Sequence, residues 1–349
     1  MEIRDKHPYM MWETILSTPN LIPEIGNHME EIRKVAKLLR EKDFVYITGC
    51  GTSYNLALTF ANFLNNYGKK CAIALPAYEM LHHVDVVDAS KSAIVSISHS
   101  GGTGASVQVL NKLLQSDILK IAITNTDKSR IMNVADASIL VPGWEEVGPK
   151  TRSYTLGLIV ALLVSMLVGE KDFEIVEYLE RISKGLKQEI DRWVTEIKDL
   201  SEKMLGRRIY VVGAGPNYGV AAEAALKIME TSNVPAFAME LEEIGHGPIA
   251  TVVNEETVLF VLKTPKDEAR AKDVVNAAKE MGAMVVEFSN KITEGGVKIP
   301  YDDESLIPVY TIVPMQMVAY WLAVSRNVFP DLIRKRGDKH KKALDIILG

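Results

Sequence analysis

Cysteine is scarce in this chain of 349 residues, which contains only Cys50 and Cys71. Two cysteines are too few for a disulfide framework, and their spacing does not match the paired thiols of zinc or redox motifs. The histidines also lack the carboxylate or cysteine spacing of a metal site. The sequence therefore predicts no metal and no other cofactor, and we expect a reducing, cytoplasmic location.

Long apolar runs and a strong excess of one charge are also missing. The longest apolar run, Thr155 to Val168, has 14 residues, whereas a membrane-spanning helix needs about 20. The N-terminus has no apolar core of the kind found in signal peptides. Lys and Arg number 40 against 45 Asp and Glu, a net charge of -5, which does not attract a polyanion. We therefore expect neither a membrane nor nucleic acid as a partner.

The most informative feature that is present is an internal repeat. Residues 44–54, FVYITGCGTSY, align with residues 208–218, RIYVVGAGPNY, at an offset of 164. Each copy has the pattern of a strand, a Gly-x-Gly turn and the start of a helix. Further strand-like and helix-like segments alternate in both halves, which is typical of a doubly wound parallel sheet. The sequence predicts an α/β protein with two such three-layer, flavodoxin-like domains.

The same patterns divide the chain into five segments. We expect an N-terminal helical arm over 1–43, with Asn27 capping the helix that runs to Arg40. A first sheet domain then covers 44–170, an amphipathic connecting helix 171–205, a second sheet domain 206–329 and a basic tail 330–349. The simplest, non-functional interpretation of the tail is a terminal helix exposed to solvent.

Hydroxyl and glycine residues are concentrated in two turns of the first half. The sequence Ser98-His-Ser-Gly-Gly-Thr-Gly104 joins a strand to a helix, where backbone and hydroxyl donors can converge on a phosphate. Ordinary helix capping by Ser100 or Thr103 is the alternative. Gly51-Thr52-Ser53 occupies the neighbouring turn, and both turns belong to the ligand-binding edge of such a sheet. The paired hydroxyls are missing from the second half, so the first half is predicted to bind phosphate.

The second half carries its own charged cluster. Glu223, Lys227 and Glu230 are spaced to share one helix face, either as a solvated ion pair or as a partly buried site containing a general base. His246, between two glycines of an acidic loop, is a further candidate, although it could simply stabilise a turn. A dinucleotide site at Gly213-x-Gly215 is disfavoured because Pro216 lacks a backbone N–H donor.

Five motifs, in order along the chain, resemble the sugar isomerase (SIS) domain family. In particular the chain is similar to the paired isomerase domains of the glutamine:fructose-6-phosphate amidotransferases, and the resemblance runs from Tyr9 to Pro330. The motifs are Cys50-Gly-Thr-Ser-Tyr54, Ser98-x-Ser-Gly-x-Thr103, Thr151-Arg-Ser-Tyr-Thr155, Glu223-x-Ala-Leu-Lys-x-x-Glu230 and Glu243-x-x-His-Gly-Pro248.

The resemblance implies a role for each candidate residue. Glu230 would move a proton between C1 and C2, with Lys227 beside the substrate oxygens. His246 would assist ring opening from the neighbouring subunit, which implies a homodimer, and Lys335 would form an imine with a ketose. The sugar phosphate would be held by Thr52, Ser53, Ser98, His99, Ser100 and Thr103, where His99 replaces the usual Gln.

Departures from the family shape the functional expectation. We expect no glutaminase domain in this polypeptide, Gly102 replaces an acidic residue, and Pro149-Lys150 replaces a small apolar pair. We expect an isomerase and deaminase that converts glucosamine 6-phosphate to fructose 6-phosphate and ammonia. The enzyme alternatives are a fructosamine-phosphate deglycase and a synthase isomerase subunit fed by a separate glutaminase subunit. The alternative of another class is a non-catalytic sugar-phosphate sensor.

Overall fold

The computed structural model describes residues 4, 6–171, 173–291, 293–300, 303–333 and 337–348. They form two compact units. The first unit comprises Ser17–Glu145 and Arg152–Gly185, and the second comprises Met1–Leu16, Glu146–Thr151 and Leu186–Gly349. The boundaries of the five segments expected from the sequence stay predictions.

The elements in the first half of the chain alternate between strand and helix. Two helices precede the first strand, and the last helix is apolar on every face, which is why it is buried. The elements are α1 (Met10–Leu21), α2 (Met29–Arg40), β1 (Phe44–Gly49), α3 (Thr52–Asn66), β2 (Cys71–Pro76), α4 (Ala77–His83), β3 (Ser92–Ser98), α5 (Gly104–Lys112), β4 (Leu119–Thr124), β5 (Ala137–Leu140) and α6 (Arg152–Val168).

The second half of the chain repeats this alternation after one long amphipathic helix, α7. The boundary between the two units, at residues 185 and 186, falls within this helix. The elements are α7 (Ile175–Glu202), β6 (Arg208–Gly213), α8 (Pro216–Ser232), β7 (Ala236–Glu240), β8 (Thr257–Leu262), α9 (Glu268–Glu280), β9 (Met284–Ser289), β10 (Val297–Lys298), α10 (Ile307–Ser325) and α11 (Asp338–Leu348).

Each unit contains one parallel sheet of five strands, with the order β2-β1-β3-β4-β5 in the first and β10-β9-β8-β6-β7 in the second. The two orders are the same when read from equivalent strands, and all the strand pairs are parallel. Helices flank both sheets. The prediction of two doubly wound α/β domains is confirmed.

The repeat extends to backbone torsion angles. Gly51 precedes α3 with φ 56° and ψ -125°, and Gly215 precedes α8 with φ 53° and ψ -129°. A positive φ of this kind favours glycine. Two residues earlier in each copy, a Cβ on Gly49 or Gly213 would approach the backbone of Ser53 or Asn217 to 2.7 or 2.6 Å. The Gly-x-Gly turn is therefore required by geometry in both halves.

Two local expectations need correction. Asn27 does not cap α2, because a 3-10 turn covers Ile22–His28 and His28 takes the N-cap position, without a capping side-chain bond in the described region. A second long apolar helix, Glu304–Ser325, consists of a 3-10 turn and α10, and it is long and apolar enough to cross a membrane. Its most apolar 18 residues have a mean hydropathy of 1.5, but 94% of them are buried inside the protein. Thr311 and Gln316 interrupt its apolar sequence, so a search for unbroken runs misses it.

Candidate active site

The carboxyl ends of β1 and β3 form the first candidate region. These strands are hydrogen-bonded neighbours, and the chain leaves them towards opposite sides of the strand order. Ligands of doubly wound sheets bind at this kind of switch point. Thr52 and Ser53, both half-buried, form the first turn of α3 directly after β1. The first-turn N–H groups of a helix lack intrahelical acceptors, so they are suited to an anion.

The turn after β3 presents hydroxyl groups in front of α5. Ser98 is buried and donates to Thr103 Oγ1 at 3.1 Å, while the exposed Ser100 accepts from the Gly102 backbone N–H at 3.2 Å. Thr103 occupies the N-cap of α5, but its side chain makes no capping bond within the described structure. The capping explanation therefore does not account for the hydroxyls, which remain placed for a ligand.

The two turns meet at one point in the first unit. Cys50 Sγ, at the end of β1, lies 4.0 Å from Ser106 Oγ in the first turn of α5. Burial raises the pKa of the Cys50 thiol, and hydrogen bonds with Ser106 and Ala77 offset this only in part. A thiol with a raised pKa is a poor nucleophile near neutral pH, so the Cys50 thiol is unsuited to nucleophilic catalysis.

The second candidate region is a buried charge cluster on α8. Lys227 Nζ lies 3.1 Å from Glu223 Oε1 and also donates to Glu230 Oε2. The side chains of Lys227 and Glu223 are fully buried, whereas Glu230 is 21% exposed. The solvated-pair interpretation of this helix face is therefore excluded, and Glu230 is the member that reaches solvent.

The two carboxylates keep the buried Lys227 ammonium charged. Burial alone acts to lower the pKa of the Lys227 ammonium, but the charges and hydrogen bonds of Glu223 and Glu230 outweigh it, so the pKa lies above its usual range. Glu230 therefore lies next to a buried cation and is itself partly open to solvent.

His246 lies in an exposed turn of the second unit, with 64% of its side chain accessible. Its Nε2 is 3.4 Å from Glu242 Oε1, and Arg270 donates to both oxygens of Glu242 at 2.5 and 3.0 Å. The hydrogen bond from Arg270 is the largest cause that lowers the pKa of Glu242. The imidazole therefore faces a carboxylate that stays charged.

The equivalent switch point of the second sheet is filled by the protein's own charges. Lys263, at the end of β8, is buried and donates to Glu287 Oε2 at 2.7 Å. Asn217, in the first turn of α8, donates to the Leu262 and Lys263 carbonyls at 3.3 and 3.4 Å. An internal ion pair thus stands where the first sheet has hydroxyls, which explains why the repeat does not imply two phosphate sites.

The profile of the SIS domain matches residues 38–167 and 206–326, one copy in each half of the chain. The chain belongs to the SIS domain family. Both SIS domains therefore carry the doubly wound sheet described above, and the resemblance inferred from the five motifs is confirmed.

Individual relatives cover nearly all of the chain. The isomerizing glutamine–fructose-6-phosphate aminotransferase of Pyrococcus horikoshii is 28% identical over 344 residues, a match that covers 95% of this SIS protein and 58% of the relative. The chain thus spans about 58% of the length of that relative.

Two solved structures are similar over their whole length. The C-terminal domain of glucosamine-fructose-6-phosphate aminotransferase from Francisella tularensis has a TM-score of 0.82 at 20% identity, covering 95% of this chain and 99% of that one. Glucosamine-6-phosphate deaminase from Thermotoga maritima has a TM-score of 0.76 at 26% identity, covering 92% of this chain and 96% of that one.

The candidate residues of this SIS protein divide between the units. Thr52, Ser53, Ser98, His99, Ser100 and Thr103 lie in the first unit, and Lys227, Glu230 and His246 lie in the second. Lys335 lies outside the described residues. Over the part of the chain that the structure describes, no three His, Cys, Asp or Glu residues are grouped to hold a metal.

Several residues near these candidates carry no sequence motif. The Trp144 ring packs against the His99 ring. Arg270 pairs with Glu242, which also contacts His246, and Glu287 pairs with Lys263. Glu242 lies four residues before His246, a spacing that could have suggested the contact on a helical turn. The other pairs join distant parts of the chain, so local spacing gives no signal for them.

Proposed function

We propose that the protein is a phosphosugar isomerase that converts glucosamine 6-phosphate to fructose 6-phosphate and ammonia. The observation that carries this proposal is the cluster on α8, where the partly exposed Glu230 touches a buried ammonium. Proton transfer between adjacent carbons needs a positioned carboxylate that can accept and return a proton. The cluster supplies such a carboxylate.

The hydroxyl turns of the first unit would hold the phosphate group. Ser98, Ser100 and Thr103 are grouped after β3, and Thr52 and Ser53 occupy the neighbouring turn. Hydroxyl and helix-terminal N–H donors form charge-assisted hydrogen bonds with phosphate oxygens. His99, between the two serines, lies beside the same group.

The proposed reaction needs no external oxidant or reductant. His246 assists opening of the sugar ring, and Glu230 removes the proton from C2 of the open aldose. Return of that proton to C1 converts the enolamine into an imine at C2. Water then adds to the imine carbon, the C–N bond breaks, and ammonia leaves to give the ketone of fructose 6-phosphate. Lys227 positions the Glu230 carboxylate through their direct hydrogen bond.

Similarity to known proteins supports the substrate class. The Thermotoga maritima protein is a glucosamine-6-phosphate deaminase, and its match extends over 96% of that chain. The aminotransferases share this part of their length with the present protein. Both names contain glucosamine or fructose 6-phosphate, and this supports an amino sugar phosphate as the substrate.

The direct test is ammonia and fructose 6-phosphate release from glucosamine 6-phosphate without glutamine. The parent protein should release the two products in equal amounts, and Glu230→Gln should abolish turnover while still binding the sugar phosphate. Glu196→Gln is the control, because Glu196 is also an ion-paired helix residue of the second unit but is 43% exposed on α7. Equal rates for parent and Glu230→Gln would remove Glu230 from the mechanism.

Other outcomes of the same assay point to the alternatives. Binding without turnover by the parent would favour a sensor, and turnover of a fructosamine phosphate alone would favour a deglycase. Synthesis of glucosamine 6-phosphate from fructose 6-phosphate and ammonia would favour a synthase subunit with a separate glutaminase partner.

We further propose a homodimer in which His246 serves the partner's site, and its 64% exposure supports this. Neither Glu230→Gln nor His246→Asn should be active alone. Mixing the two after dissociation should restore about a quarter of the parent activity, because half of the random dimers then carry one intact site. Mixed samples that stay inactive would place His246 in its own subunit's site, and a fully active His246→Asn variant would place it outside catalysis.

A further inference from the structure

Trp144 lies in a loop of the first unit that is anchored at three successive residues. Gly143 has φ 84°, and a Cβ there would lie 2.7 Å from Leu156. The Trp144 carbonyl accepts from Arg152 Nη2 at 2.8 Å, and the buried Glu145 carboxylate accepts from the Ser153 N–H at 2.6 Å. The start of α6 thus fixes the backbone on both sides of the indole.

The Ser98–Thr103 turn, which is the proposed phosphate site, is connected to the same loop by hydrogen bonds. The carbonyl of His99 accepts from the Asn125 N–H at 3.2 Å and from the Thr126 hydroxyl at 3.0 Å. The Asn125 side chain in turn donates to the carbonyls of Val141 and Pro142 at 3.0 and 3.2 Å. Hydrogen bonds therefore connect the residue between Ser98 and Ser100 to the strand end that leads into Trp144.

A contact between side chains also links the loop to the turn. The rings of His99 and Trp144 are tilted by 32° with centroids 4.5 Å apart. All four tryptophans lie among the described residues, and Trp144 is 49% exposed while Trp12, Trp193 and Trp321 are 6%, 0% and 8% exposed. Trp144 thus contacts the Ser98–Thr103 turn through His99 and leaves about half of its surface accessible. A half-exposed indole held rigid beside a polar turn is typical of a ligand-contacting surface.

We propose that Trp144 is a specificity-determining residue whose exposed indole packs against the carbon skeleton of the sugar phosphate held by the Ser98–Thr103 turn. This inference rests on the proposed function, because it assumes that the turn binds the phosphate. The phosphate end is recognised by hydroxyl and N–H donors, which any phosphate satisfies. Trp144 adds contact with the sugar, so it separates sugar phosphates from phosphate itself.

The size of the effect follows from the exposed area. An indole is among the largest side chains, and covering about half of the part of Trp144 that is exposed would strengthen binding by about tenfold. Because His99 and the anchored loop already hold the ring, little conformational freedom is lost on binding. Phe at this position keeps an aromatic surface, whereas Leu removes it.

Calorimetric titration of the parent, Trp144→Phe and Trp144→Leu with glucosamine 6-phosphate and with inorganic phosphate tests the inference. Trp144→Leu should bind the sugar phosphate about tenfold more weakly, Trp144→Phe should lie between it and the parent, and inorganic phosphate should bind all three equally. Thermal unfolding of each variant checks that the loop still folds.

Tryptophan fluorescence gives an independent readout. Since the other three indoles are buried, sugar-phosphate binding should change the emission of the parent and leave that of Trp144→Phe unchanged. Equal sugar-phosphate affinity in the parent and Trp144→Leu, with no fluorescence change, would overturn the role of Trp144 and leave the proposed function standing. Absence of any sugar-phosphate binding to the folded parent would overturn the proposed function and this inference with it.

Discussion

The buried Lys227 should make α8 unusually sensitive to the loss of one charge. Its ammonium lies between Glu223 and Glu230, and both Lys227 and Glu223 are fully buried. Lys227→Met keeps most of the side-chain length but removes the counter-ion of a buried carboxylate. Removing one partner of a buried ion pair costs about 3–5 kcal/mol, because the remaining charge is poorly solvated.

Glu223→Gln should be milder than Lys227→Met. Lys227 then keeps Glu230 as its counter-ion, and the loss is one hydrogen bond to a charged group, about 1.5–3 kcal/mol. The double variant Glu223→Gln/Lys227→Met removes the cation and the fully buried anion together. It should therefore be more stable than Lys227→Met alone, with an interaction energy of about 1–3 kcal/mol in the double-mutant cycle.

Urea unfolding measures these differences in the free energy of unfolding. Two probes are followed, since a chain with two compact units need not unfold in one step. Lys291→Met is the matched control: Lys291 is 65% exposed and pairs with Glu268 at 2.9 Å. Such a surface pair contributes about 1 kcal/mol or less. A stability of Lys227→Met equal to that of this control, or a double variant less stable than Lys227→Met, would refute the role of the buried charges.

Three further predictions concern the candidate site and its support. Ser98→Ala/Ser100→Ala should weaken phosphate binding by about tenfold to a hundredfold in calorimetry, because hydrogen bonds to the anion are lost; unchanged affinity would place the phosphate elsewhere. Glu242→Gln should lower kcat by about threefold to tenfold without changing KM, since the carboxylate orients His246; a pure KM effect would contradict this positioning role. Burial raises the pKa of the Asp331 carboxyl in the folded protein. The folded protein therefore takes up this proton at a higher pH than the unfolded chain does. The free energy of unfolding of the parent relative to that of Asp331→Asn should increase as the pH falls through the raised pKa. A pH-independent difference in denaturant unfolding would show that Asp331 does not titrate in this way.

Much of the fold could be predicted because its signals are local. An apolar strand, a glycine turn and a helix pattern each depend on a few neighbouring residues, and the repeated Gly-x-Gly spacing identified equivalent turns. The errors have different origins. Asn27 falls within a 3-10 turn, Ile22–His28, that ends directly before α2, and the apolar helix α10 contains buried polar residues such as Gln316, whose amide donates to the distant Thr151 carbonyl at 3.0 Å.

The candidate site shows the same division. Helical spacing placed Glu223, Lys227 and Glu230 on one face, but spacing alone left open whether that face is solvated. Burial comes from the packing of α8 against α10, where the Thr231 hydroxyl donates to the Ala319 carbonyl at 2.9 Å. Likewise, the hydroxyl turn after β3 was evident from Ser98 to Thr103, whereas its aromatic neighbour Trp144 was not.

The sequence by itself determined the parallel α/β architecture, the two equivalent halves and the residue types available for chemistry, because strands, turns and helix faces follow from short-range periodicity. Only the tertiary structure decided which charges are buried, which turns meet and which aromatic ring stands beside the Ser98–Thr103 turn. Those properties depend on contacts between segments far apart in the chain, and no local pattern encodes the desolvation or the distance that such contacts produce.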